Sequence, residues 1–334
     1  VISVNEWYPL RFVPLYKERL WGGRQLATRY SRSLPEGLPI GESWEITDRP
    51  EGVSVVASGP WQGRTLTDLV QRDPRGLLGE APARQGRFPL LIKILDAREV
   101  LSVQVHPPPA RAAHWQGEPK TELWYFTATE PGAEVLAGLK SGVGREAFEQ
   151  ALRQGSLADC FHRLPVHPGD ALFLPSGRVH ALGAGVLLFE IQESSDTTFR
   201  VYDWDRVDRN GQPRALHQEQ ALDCIDFQDQ TPALVPLTWE PMAGAVRRRC
   251  LADDRLFRAH AWESSAGADL TWTLPRCLLA GVARGRLEVT ARRHSMTLGP
   301  GDTMLLPAAL EQVQVHLPDA AEWWTAEPGP GREP

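Results

Sequence analysis

The sequence predicts a mainly β chain, two jelly-roll-like units in tandem with a few short helices. Three observations carry this expectation. The 29 glycines and 28 prolines are spread through 334 residues and cut the chain into many short β-prone runs, a pattern that favours sandwiches and jelly rolls over parallel α/β sheets. Helical periodicity is confined to a few brief stretches. Finally, HPGDALFLPSGRVHAL (167–182) is echoed by GPGDTMLLPAALEQVQV (299–315), with PGD-x3-LP shared at an offset of 132 residues. Such an echo suggests one supersecondary unit used twice.

Taken in order, GVSVVASG (52–59) reads as a glycine-bounded strand. TLTDLVQRDPRGLLG predicts a helical segment near 65–80, starting after Thr65 and stopped near Pro74, which lacks the amide needed to continue it. FPLLIKIL, VLSVQVH and ELWYF follow as strands. GREAFEQALRQG places Phe148 and Leu152 four apart and ends at Gly155 in the manner of a C-cap, so helix is expected within 145–163. DALFLPS, VLLFEIQ and TFRVYDW are further strands, and LHQEQALDCIDF is a third helix candidate. The aperiodic, proline-bearing stretch 226–246 reads as the connection, which divides the chain into units 1–235 and 236–334. CLLAGVARGRLEV and DTMLLP are strands of the second unit. Gln312 stands there where the first copy has His180, so the second unit is expected to be metal-free.

The formal charge of −6 and a pI near 5.9 argue against a nucleic-acid partner. No apolar run approaches the roughly 18 residues that span a bilayer, and no basic segment followed by an apolar core marks a secretory signal. A cytoplasmic location is the expectation, with no membrane partner and a monomeric or homodimeric state. Cys160, Cys224, Cys250 and Cys277 are scattered without a CxxC pair and read as buried reduced thiols.

Candidate chemistry gathers in the strands. In LSVQVHPPPA the period of two puts Leu101, Val103 and Val105 on one face and Ser102, Gln104 and His106 on the other, with Pro107 as the stop. PKTELWYF adds Glu122, with Lys120 on the same side if the segment is extended, and PSGRVHAL adds His180 after a turn. Taken singly, each is an ordinary strand or surface residue. Three β-flanked, turn-bounded segments together make a His/His/carboxylate metal site plausible. The remaining histidines read as structural or exposed. In LLFEIQESSDTTFRVYDWDR (187–206), Glu190 and Gln192 share one face, and a polar corner containing Asp196 precedes Arg200. Arg200 is either an ion-pair partner for Asp203 or Asp205 or an oxyanion binder. Trp21 and Trp44 are core aromatics or the walls of a carbohydrate pocket.

Together these motifs resemble class I mannose-6-phosphate isomerase in its short bacterial form. LYKERLWGG, GESWEI, FPLLIKILDA, LSVQVHPPP, PKTELWY, HPGDALFLPSGRVHAL and EIQESSDTTFRVYDWDR run in that family's order over roughly residues 10–220. The resemblance implies a cupin fold (a double-stranded β-helix) and one zinc ion per chain. It also implies interconversion of mannose 6-phosphate and fructose 6-phosphate by proton transfer through an enediol. By motif, the zinc ligands fall on Gln104, His106, Glu122 and His180. The active-site arginine falls on Arg200, the pocket lysines on Lys93 and Lys120, and the neighbouring serine on Ser102. Lys120, Glu190 and Asp196 are the candidates for moving the proton, with Trp21 and Trp44 beside the substrate. Longer family members carry a histidine before the motif lysine, where this chain has Pro119, and a larger helical insertion before the last histidine ligand. Two rival classes stay open at this point. One is a cupin oxygenase holding iron on His106, Glu122 and His180, and the other a non-catalytic sugar-binding cupin.

Overall fold

The computed structural model describes residues 7–332. Its N-terminal unit contains β1 (Leu15–Gly23), β2 (Ile40–Ile46), β3 (Asp48–Arg49), β4 (Gly52–Val53), β5 (Leu90–Ala97), β6 (Val103–Val105) and β7 (Glu122–Thr129). It continues with β8 (Glu134–Leu139), β9 (Phe161–Pro165), β10 (Ala171–Leu174), β11 (His180–Leu182), β12 (Val186–Glu193) and β13 (Phe199–Tyr202). Apart from the small β3–β4 pair, these strands form two antiparallel sheets. One has the order β1-β2-β5-β12-β7-β10, the other β13-β6-β11-β8-β9. The sheets face each other across a core that includes Trp124 and Leu188 from the first and Val135 and Leu182 from the second.

The C-terminal unit repeats the plan. Its strands are β14 (Glu240–Pro241), β15 (Val246–Asp253), β16 (Phe257–Ser264), β17 (Ala268–Thr273), β18 (Leu278–Arg284), β19 (Leu287–Ala291), β20 (His294–Leu298), β21 (Thr303–Leu306), β22 (Gln312–Leu317) and β23 (Ala321–Pro328). The sheet orders are β14-β15-β16-β23-β18-β21 and β17-β22-β19-β20. The echoed motif occupies the same place in both units, leading into edge strands β10 and β21. Each copy forms the same turn: Asp170 Oδ2 accepts from His167 N at 2.8 Å, and Asp302 Oδ2 from Gly299 N at 2.9 Å. Gly301 in the second turn has φ +80° and abuts the Tyr30 ring, so only glycine satisfies both the backbone and the space.

The two large sheets pack on one another. Ile94, Leu123, Phe189 and Ile191 of the first unit share a core with Ala259, Ala261, Trp324 and Ala326 of the second. Phe189 and Trp324 meet edge to face, with centroids 5.4 Å apart. Leu10 and Leu305 exchange two backbone hydrogen bonds of 2.9 Å across the junction. Strands β5 and β12 are therefore buried along their whole length. Burial on both faces explains the apolar starts LLI and VLLF, before Lys93 and Glu190 bring polar side chains to the face between the sheets.

The helices are α1 (Gln25–Tyr30), α2 (Leu66–Arg72), α3 (Pro74–Leu78), α4 (Pro109–Ala112), α5 (Arg145–Gln154) and α6 (Gln218–Cys224). Thr65 and Asp68 form a reciprocal capping box at α2. The stop at Pro74 is a joint, because Asp73 caps a second helix that has Pro74 at its first position. The helical stretch expected to reach 163 ends at Cys160, after a 3₁₀ turn, and gives way to β9. There, His162, Arg163 and Leu164 pair with β8. GVSVVASG contributes only β4 and isolated bridges, because Val55 and Val56 pair with single residues of loops. Cys250 is exposed, unlike the other three cysteines. The covering strand β14 is two residues long and pairs only with Arg247 and Arg248. Helix α1 has no local cap. Its first amides instead reach the Asp96 carboxylate on β5, Gln25 N at 2.5 Å and Leu26 N at 3.3 Å. Burial pushes the Asp96 carboxyl up to about 6, against the pull of those amides.

Because the two units share one core, urea unfolding is expected to show a single transition. Trp324→Ala should shift that whole transition by about 3–5 kcal/mol. Two separated transitions, with only one moved, would contradict a shared core.

Candidate active site

The register of the large sheet lines up one row of side chains. Trp44, Lys93, Glu190 and Trp124 are successive cross-strand partners on β2, β5, β12 and β7. One row along, Gln192 is the partner of Glu122. In the facing sheet Arg200, Gln104 and His180 are partners on β13, β6 and β11. His106 follows β6 directly, and the Pro107–Pro109 run ends the strand there. The polar row of LSVQVH thus points between the sheets.

His106, Glu122 and His180 converge, with their ligand atoms all within 4.8 Å of one another. Glu122 Oε2 lies 3.4 Å from His106 Nε2, and Oε1 lies 3.4 Å from His180 Nε2. The other ring nitrogens are committed to backbone carbonyls: His106 Nδ1 to Thr197 O at 3.0 Å, His180 Nδ1 to Arg178 O at 2.9 Å. Donation to those carbonyls puts each proton on Nδ1 and leaves each Nε2 lone pair facing Glu122. His106 Nε2 and Glu122 Oε1 are buried without a hydrogen-bond partner, and Glu122 Oε2 faces the Lys120 ammonium, 2.8 Å away. Orphaned acceptors of this kind, two neutral imidazoles and a carboxylate, suit a divalent cation. The Gln104 amide lies 3.3 Å from His180 Nε2, and rotating it by half a turn presents its oxygen. Burial, reinforced by the Lys120 charge, holds His106 down at about 4, so it is neutral at pH 7. Glu122 is also buried, yet the neighbouring Lys120 ammonium keeps its carboxyl well below the usual range.

Above this group opens a cavity of about 450 Å³. Lys120 Nζ sits 2.8 Å from Glu122 Oε2 and 3.6 Å from Glu190 Oε1. Lys93 Nζ sits 3.2 Å from Glu190 Oε1 and 3.7 Å from Asp196 Oδ1. Although burial opposes its charge, Glu122, Glu190 and Asp196 hold the Lys120 ammonium well above the ordinary lysine range. Arg200 forms no ion pair among the described residues. Its Nη1 donates to Ala215 O at 2.7 Å, and its Nε is buried without a partner. The site therefore contains a cation whose charge is left for a ligand.

Residues 10–124 match the family model for phosphomannose isomerase type I, catalytic domain. The mannose-6-phosphate isomerase of Streptococcus mutans is 36% identical over 307 residues, 92% of this chain and 94% of that protein. Mannose-6-phosphate isomerase ManA of Bacillus subtilis is 36% identical over 310 residues, covering 92% and 96%. The chain belongs to the type I phosphomannose isomerase family. The crystal structure of mannose 6-phosphate isomerase from Bacillus subtilis superposes with a TM-score of 0.86 at 30% identity, over 96% of this chain and 99% of that one.

Of the residues expected at a phosphomannose isomerase site, Ser102, Gln104, Lys93, Lys120, Glu190, Asp196, Arg200 and Trp21 line the cavity. Trp44 does not. It is buried beneath Lys17 and Lys93, whose ammonium groups lie 4.5 and 5.2 Å from its ring centre, and it donates to Glu42 Oε2 at 2.7 Å. Lining residues that were not anticipated include Arg19, Glu42 and Arg214. Arg19 stands two residues before Trp21 on β1, and Glu42 two before Trp44 on β2, so the strand period held the signal for both. Arg214 lies in a loop with no period and is held by the Asp203 carboxylate, 2.7 Å from its Nε. A supporting junction was also missed. Buried Glu193 accepts from Thr121 N at 2.8 Å and pairs with Arg84 and Arg332.

Burial alone would raise the Glu42 carboxyl, but Lys93 and Arg19 bring it down to about 2. A depressed carboxyl contributes stability above its unfolded value of about 4.5 and loses it as pH falls toward 2, here about 3 kcal/mol. Glu42→Gln should therefore be markedly less stable than the parent at pH 7 in urea titrations, with the gap closing toward pH 2. A gap that does not change with pH would contradict this linkage.

Proposed function

We propose that the chain is a zinc-dependent isomerase that interconverts D-mannose 6-phosphate and D-fructose 6-phosphate. The observation that carries this is the buried His106–Glu122–His180 group with orphaned acceptor atoms, behind Gln104 and Lys120 in the wall of a cavity that presents the unpaired Arg200 cation. Gln104 completes the zinc set on this reading. The soft-to-borderline preference of Zn²⁺ suits two imidazoles with one carboxylate, and a fourth oxygen donor blocks the open face an iron oxygenase would need. We assign the chemistry to residues 1–235 and a metal-free supporting role to residues 236–334, in a cytoplasmic monomer or homodimer. Among the described residues no helix is long and apolar enough to cross a membrane.

When bound, zinc supplies Lewis-acid polarisation of the sugar carbonyl. The chain's own residues do the rest. Arg200 and Lys120 bring fixed positive charge to the oxygens of the developing enediolate. Glu190 Oε1, buried between the Lys93 and Lys120 ammonium groups, takes the proton from C2 of the aldose and returns it to C1 of the ketose. Lys120 Nζ, 3.6 Å from that oxygen, holds the proton needed on the substrate oxygen. Asp196 orients Lys93 near the mouth, Ser102 meets a sugar hydroxyl, and Trp21 walls the ring.

Protein purified without added metal is expected to hold about one zinc per chain and to convert mannose 6-phosphate in an assay coupled to nicotinamide reduction. Stoichiometric iron without isomerase activity would overturn the reading. Lys120→Met should keep its metal, because the four ligands are untouched, yet lose turnover by roughly 10²–10⁴-fold. Solvent-hydrogen exchange at C2 should fall with it. A raised KM with continuing exchange would show that Lys120 only positions the substrate.

A further inference from the structure

The internal repeat equates the two units residue by residue. The shared turn aligns Leu174 with Leu306. Leu174 pairs with Glu122, and Leu306 with Leu278, so Leu278 stands where the first unit has its buried carboxylate. Two residues along the same strands, Trp124 corresponds to Ala280. Their partners on the next strand are Glu190 and Thr325, and the partners of those are Lys93 and His260. Gln312 takes the place of His180. Four charged or metal-ligating positions of the first site, Glu122, Glu190, Lys93 and His180, are thus filled in the second by Leu278, Thr325, His260 and Gln312.

The concavity is nevertheless kept. His260, Thr325 and Leu278 line a cavity of about 480 Å³, walled by Trp262 and Trp272. Its two arginines are already compensated. Arg248 Nη2 is 3.0 Å from Glu240, and Arg258 lies 2.8 Å from Asp253 and 3.4 Å from Glu327. Burial and those arginines hold His260 down at about 4, so it adds no charge at pH 7. Two buried donors lack acceptors: Nε1 of Trp272, which is only 8% exposed, and Nε of Arg248. Thr325 Oγ1 accepts from Trp262 Nε1 at 2.8 Å and keeps its own proton to donate. An uncharged ligand with oxygen acceptors and one apolar face suits a cavity that offers the Thr325 hydroxyl proton beside two indoles and holds no uncompensated charge.

We propose that the second jelly roll is a non-catalytic binding site for a neutral hexose, held in the cavity walled by Trp262 and Trp272. The site is independent of the reaction assigned to the first unit. The probe is methyl α-D-mannopyranoside, whose locked ring cannot isomerise, observed by saturation-transfer NMR with the full chain. Transfer to the sugar is expected at 10 mM. It should fall at least fivefold in Trp272→Ala and in Thr273→Tyr, the latter an exposed rim position that tolerates substitution if the former unfolds. Turnover of mannose 6-phosphate, read in the same samples, should stay within twofold of the parent. Absence of transfer at 50 mM, or transfer unchanged in a folded variant, would overturn the proposal. So would broadening of the ³¹P line of inorganic phosphate that the variants abolish, because an anion site would then be present.

Discussion

The pairing register of β5, β12 and β7 governs everything else in the molecule. Successive side chains on these strands alternate between the space holding Lys93, Glu190 and Glu122 and the core shared with Trp324. A slip of one residue in β12 would drive Phe189 and Ile191 into the cavity and push Glu190 and Gln192 into the core around Trp324. The two buried faces therefore police each other. The apolar face enforces the register with hydrophobic burial, and the register delivers the polar face.

The polar face is not there for stability. Buried ion pairs rarely repay the loss of their hydration, and apolar replacements are often at least as stable. The molecule contains its own control for that statement. At equivalent strand positions the second unit places leucine and threonine where the first has Glu122 and Glu190, and it builds the same pair of sheets. The fold does not need the charges. On the proposed function they persist in one copy to serve a ligand, and Lys93, Lys120, Arg19, Glu42 and Glu190 are arranged so that each buried charge has an opposite neighbour while Arg200 is left over.

Much of this was legible in the sequence. Alternation placed Ser102, Gln104 and His106 on one face, the PGD echo marked strands that are equivalent edges, and Thr65 and Gly155 marked helix ends through local chemistry. What escaped depends on partners far away in the chain. Helix α1 is capped by Asp96, 71 positions on, and no local residue announces it. Arg214 reaches the cavity from a loop, where no period constrains direction. Trp44 shares a row with Lys93 but is roofed by lysine ammonium groups, and Cys250 is uncovered because β14 is short. Neither neighbour is visible from the residue's own segment. Arg19 was within reach, two positions from a tryptophan already singled out.

The shared core between the large sheets also has a consequence for synthesis on the ribosome. Strand β12 emerges with Phe189 and Ile191 facing outward, but the indole that covers them belongs to Trp324. At the usual pace of translation the intervening stretch takes on the order of ten seconds to appear. Throughout that interval the nascent first unit carries a bare apolar wall, a surface that trigger-type chaperones would hold until the second half arrives.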